Sequence, residues 1–136
     1  MKETTEKIIA EQNKRNEIRS TMKKFLKLWK QRDFKGMVKL CQLTWTSTTD
    51  AEQRLIQYLG NYRLNNHTDI NISFVNDAAV CAAVHFEADI YDATVRMTQH
   101  MKLCARVICE SKPYQPSETG QWGINPESLF HSIIKN

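Results

Sequence analysis

The sequence predicts an α+β fold: three N-terminal helices packed in the concave face of a curved antiparallel sheet. Two observations carry this. Up to about residue 62, apolar residues recur at helical spacing. From residue 70 the period changes to two and holds through two long runs that end near residue 107. A third observation sets the scale. At 136 residues the chain fits one domain and can bury a core without disulfides or metal.

The first helix is clearest from Ile18 onward. Ile18, Met22, Phe25, Leu26 and Trp29 fall on one face, with Lys23, Lys24, Lys27 and Lys30 largely elsewhere. Residues 1–17 are highly charged and read as a helical extension or flexible arm, ahead of a single domain over 18–136. Asp33 caps a short second helix with Phe34, Met37, Val38 and Cys41 inward. Gly36 in that helix calls for a packing reason. Thr44 to Thr48 reads as a polar connector carrying Trp45. Thr49 and Glu52 have capping-box spacing and open a third helix, with Ala51, Leu55, Tyr58, Leu59 and Tyr62 inward. Gly60-Asn61 ends it.

Ile70, Ile72 and Phe74 alternate with polar residues as a strand, and Asn76-Asp77 marks a turn. In the next run Val80, Ala82, Val84, Phe86, Ala88 and Ile90 share one face. Cys81, Ala83, His85, Glu87, Asp89 and Tyr91 share the other. The strand after it opposes Val95, Met97, Gln99, Met101, Leu103, Ala105 and Val107 to Thr94, Arg96, Thr98, His100, Lys102, Cys104 and Arg106. A two-residue turn at Asp92-Ala93 would place Asp89 opposite Arg96, His85 opposite His100 and Cys81 opposite Cys104. A slip by two would keep the faces and change these partners. Lys112 to Gly120 is a polar loop. Trp122-Gly123-Ile124 reads as a final strand, and Asn125-Pro126-Glu127 opens a C-terminal helix or turn.

The composition excludes several classes. Gly and Pro are too few for collagen or Pro-rich linkers, and no apolar run approaches a membrane span. Met1 to Glu6 is too polar and acidic for a signal peptide, so a cytoplasmic protein with four reduced cysteines is expected. None of those cysteines has zinc-motif spacing. The net charge of +4 is concentrated in the first 35 residues, with 11 basic against 5 acidic. Glu6, Glu11 and Glu17 interrupt that run, which favours a solvated helix face over a nucleic-acid surface.

Three stretches resemble the nuclear transport factor 2-like superfamily, the cystatin-like cone. They are Phe25 to Met37, where an aromatic helix exit meets an acidic cap; the alternating hairpin 79–110; and Gln121 to Leu129, similar to that superfamily's closing strand. The resemblance spans roughly residues 18–130. It implies a curved sheet wrapped around helices. Because the superfamily holds enzymes, transport factors and association domains, it leaves function open.

Enzymes of that superfamily place Asp, His or Tyr inside the cone, where a buried carboxylate can act as acid or base. The alternation puts this chain's ionisable residues elsewhere. His85, Glu87, Asp89, Tyr91, Arg96, His100 and Lys102 fall on the convex face and are the candidate interaction surface. A metal site from His85, His100 and Glu87 is weighed against a plain polar face, and the polar face is favoured. No cofactor is expected. The interior candidates are Trp29, Trp45, Tyr58, Tyr62, Met97, Gln99, Met101 and Trp122, which would either line a pocket for a small hydrophobic ligand or fill the cone as core. His67, Asp69 and Tyr58 are the weak candidates for catalysis.

The reading preferred from the sequence is a non-enzymatic small-ligand-binding or protein-interaction domain, homodimeric through the convex face. One alternative is an isomerase-, dehydratase- or cyclase-like enzyme acting on a small hydrophobic substrate. The other is an adaptor binding nucleic acid or an acidic partner through Lys23, Lys24, Lys27 and Lys30.

Overall fold

A computed structural model describes residues 2–75, 79–111, 115–117 and 119–136, with side chains from residue 5 onward. The order is α1 (Lys2–Lys30), α2 (Phe34–Val38), α3 (Leu43–Thr46), α4 (Ala51–Leu59), β1 (Tyr62–His67), β2 (Asn71–Phe74), β3 (Cys81–Asp92), β4 (Met97–Ser111), β5 (Gln115–Pro116), β6 (Gln121–Asn125) and α5 (Pro126–Ile134). The six strands form one open antiparallel sheet. β1 and β2 pair with one edge of β3, β6 pairs with the far edge of β4, and β5 pairs with the end of β4 at Glu110 and Ser111.

α1 is one continuous helix, so residues 2–17 extend the helix that carries the apolar face. Ile18, Met22, Phe25, Leu26 and Trp29 are completely buried. They share one buried core with Ala82, Val84, Ala88, Ile90, Leu103, Ala105 and Val107 on the inner face of β3 and β4. Asp33 caps α2, its Oδ1 accepting from the Gly36 amide at 3.0 Å. A Cβ on Gly36 would stand 2.7 Å from the other Asp33 carboxylate oxygen, so a larger residue there would press on the capping side chain.

Four expectations need correction. The connector at 43–46 is a helical turn, capped through a remote side chain rather than its own. Thr49 does not cap α4. The N-cap is Asp50, which makes no side-chain capping bond, so the Thr49–Glu52 box does not form. Residues 62–67 form a strand the alternation did not reveal. β1 is an edge strand exposed at Arg63 and from Asn65 to His67, so only Leu64 of its six residues is fully buried. The proposed turn at Asn76-Asp77 lies outside the described residues.

The fourth correction is the hairpin register. The turn has four residues, 93–96, and Asp89 pairs with His100, His85 with Cys104, and Cys81 with Ile108. Asp92 fixes it. Its carboxylate accepts from the Thr94 amide at 2.9 Å and from Asn61 Nδ2 at 2.8 Å, and its carbonyl accepts from the Arg96 amide at 2.8 Å. Arg96 closes the turn in the left-handed region, at φ 56°. A shift of four residues preserves every face and changes every partner. It also takes Arg96 out of the strand and away from Asp89.

Helices cover part of each side of the sheet through one geometric match. Four helical residues rise about 6 Å, and two strand residues span about 6.6–6.8 Å. On one side Arg15 and Arg19, one turn apart on α1, donate to the carbonyls of Ile72 and Ile70 at 2.6 and 3.2 Å. On the other side Ser128, Ser132 and Asn136 accept from the amides of Arg106, Cys104 and Lys102 at 2.9, 2.9 and 3.2 Å. α5 thus takes over the β4 edge where β6 stops.

Candidate functional site

The inner-face candidates do not converge on one chamber. Trp29 is buried in the core, and its indole N–H donates to the Tyr62 carbonyl at 3.1 Å. Met101 is core as well. Trp45, Tyr58 and Tyr62 form an aromatic row with Phe130 of α5, which the sequence analysis did not single out. The ring centroids lie 5.9 Å apart for Trp45–Tyr58, 5.2 Å for Tyr58–Phe130 and 6.4 Å for Tyr62–Phe130. Arg54 stacks over Trp45 at 4.3 Å and pairs with Glu127 at 3.4 Å. Trp122 stands apart, against Phe74. Met97 and Gln99 have the inward parity yet are exposed. They belong to the stretch of β4 that projects past α5, whose last bond to the strand is Asn136 on Lys102.

The weak catalytic candidates are also apart. His67 is exposed, its Nδ1 2.7 Å from the Thr68 carbonyl oxygen. The Asp69 side chain is 80% exposed, 3.3 Å from Arg19 Nη1, and accepts from the Ile70 amide. Tyr58 sits half-buried in the aromatic row. Among the described residues, none of four surface recesses contains all three.

Glu110 was missed. It is the one buried charged residue among those described. Its carboxylate accepts from the Thr44 amide at 3.3 Å and hydroxyl at 2.8 Å, tying α3 to β4. The only signal for it in sequence is a single acid at the end of an apolar alternating strand. Beside it, the Gly123 position lies against the chain of α3's approach. A Cβ there would come within 2.6 Å of the Cys41 carbonyl oxygen.

The outer face of β3 and β4 carries a cluster of polar side chains. His100 lies between two carboxylates, with Nδ1 2.8 Å from Asp89 Oδ1 and Nε2 3.0 Å from Glu87 Oε1. Both ring nitrogens must carry protons to donate to both acids, so this geometry suits the imidazolium. The Asp89 and Glu87 hydrogen bonds raise the His100 pKa, and the His100 hydrogen bond holds Asp89 below the usual carboxylate range. For the histidine, the stabilisation is complete below about pH 6.5 and is lost as pH rises through the raised value. For Asp89 it is complete above about pH 4 and is lost as pH falls through the lowered value. In an NMR titration His100 should titrate above the ordinary histidine range, and the Glu87→Gln/Asp89→Asn variant should return it there. An unshifted midpoint in the parent chain would refute the double contact.

His85 faces Cys104 across the strands, with Sγ and Nε2 4.0 Å apart. Burial pushes the Cys104 thiol up, the opposite of an activated nucleophile. Cys41 is pushed up to about 12 by burial, and all four cysteines are free. Among the described residues no three His, Cys, Asp or Glu side chains are arranged to hold a metal ion. Lys23, Lys24, Lys27 and Lys30 are exposed along α1. Among the described residues no helix is long and apolar enough to cross a membrane. No known protein-family model matches the chain, and no curated protein is significantly similar to it.

Proposed function

We propose that this chain is a non-enzymatic interaction domain, of the nuclear transport factor 2-like type, whose outer sheet face takes a second copy of the same chain. The observation that carries the reading is the division of labour between the two faces of β3 and β4. The inner face is spent on core, from Ala82 to Ile90 and from Met101 to Cys109. The outer face presents His85, Glu87, Asp89, Tyr91, His100 and Lys102, all at least partly exposed.

That outer face mixes acids, bases and an aromatic ring. A two-fold axis through it can set the Glu87–Asp89 acids of one copy against the bases of the other, because an isologous contact pairs a surface with itself. The long helix followed by an antiparallel sheet is compatible with a cone of this superfamily.

Native mass spectrometry and sedimentation should find a dimer. The Tyr91→Glu/Lys102→Glu variant alters two side chains outside the core and should dissociate it without loss of helix or sheet signal. A parent chain that stays monomeric at high micromolar concentration would overturn the proposal.

A further inference from the structure

We propose that the recess between the outer face of β4 and the flank of α5 is an oxyanion site that takes a phosphate group. It is lined by Cys104, Arg106, Ser128, His131, Ser132 and Lys135, with a volume of about 360 Å³. Ser128, His131 and Ser132 of α5 and its C-cap Lys135 stand at i, i+3, i+4 and i+7, which is one face of a helix. The bonds from Ser128 and Ser132 to the β4 edge hold that face against the strand.

Three features point to an anion. Arg106, His131 and Lys135 converge on one recess, and no carboxylate lines it. None of the three is in an ion pair among the described residues, so none is already neutralised by an acid. Ser132 accepts from the Cys104 amide through its oxygen, which leaves its O–H to donate; the Ser128 O–H is spent on the Asn125 carbonyl. A guanidinium fork, an ammonium, an imidazole and a hydroxyl make a donor set suited to phosphate oxygens.

A recess of about 360 Å³, open to solvent, can admit a phosphate together with part of the group that bears it. The competing role for His131 and Lys135 is to offset the dipole at the C-terminus of α5. That role leaves Arg106 unexplained and predicts no response to phosphate. The shared chemistry is a phosphomonoester, whether on a free small molecule or on a lipid headgroup.

The test is an NMR titration of the full chain with inorganic phosphate, against sodium chloride at matched ionic strength. Saturable shifts at Arg106, His131 and Lys135, weakened at least tenfold in Arg106→Ala/Lys135→Ala, are expected. Arg106→Lys keeps the charge but loses the fork, and should fall between; it carries the test if the double variant does not fold. Vesicles containing phosphatidic acid form the second arm. Vesicle binding that the double variant abolishes, with no response to free phosphate, assigns the headgroup as the source. Identical shifts with chloride, or phosphate and vesicle responses that survive in the double variant, would overturn the site.

Discussion

Trp29→Ala should destabilise the chain by about 3–5 kcal/mol in urea unfolding, the cost of removing a large buried aromatic. Trp29 is completely buried, in the core that α1 shares with the inner face of the sheet. The substitution also removes the donor to the Tyr62 carbonyl, which would keep only the longer contact from Arg32 Nη1 at 3.4 Å. Trp29→Phe restores much of the volume but not that bond, and should cost about 1–3 kcal/mol. The experiment bears on function. A tryptophan lining an open ligand chamber could be truncated at little cost, because the space it leaves joins space already there. A loss below about 1 kcal/mol would therefore favour the chamber.

The second large effect is expected at the β4 edge. Ser128→Ala/Ser132→Ala/Asn136→Ala removes three side-chain acceptors from the amides of Arg106, Cys104 and Lys102. At about 0.5–1.5 kcal/mol for each bond, the loss sums to about 1.5–4.5 kcal/mol. The consequence beyond stability is an uncovered strand edge, which is a template for pairing with another chain. Light scattering during mild heating should show earlier aggregation in the triple variant than in a control matched for stability. Equal stability and equal scattering in variant and parent would show that the ladder contributes nothing.

Much of this layout is legible from one sequence because it follows from local periodicity. The burial of Ile18, Met22, Phe25, Leu26 and Trp29 follows from their spacing, and so does the alternation of β3 and β4. Asp33 and Asn125 announce the starts of α2 and α5, where a short polar side chain accepts from free amides. The outward placement of His85, Glu87, Asp89 and His100 was equally accessible, since parity alone assigns a face. β1 was not, because an exposed edge strand has no apolar alternation to display.

The sequence by itself determined the α+β class, the core face of α1 and of the hairpin, and the absence of charged side chains along the inner face of that hairpin. These are one-dimensional properties: period, parity and capping chemistry. Only the tertiary structure decided which residues meet. The four-residue turn, set by Asp92 and Asn61, moved the register and placed His100 between Asp89 and Glu87. Packing of α5 brought Phe130 into the Trp45–Tyr58 row and His131 and Lys135 beside Arg106. It also left Met97 and Gln99 beyond its reach. The reason is that a pattern repeats along the chain and can be read there, whereas a contact depends on the distance between segments that only packing brings side by side.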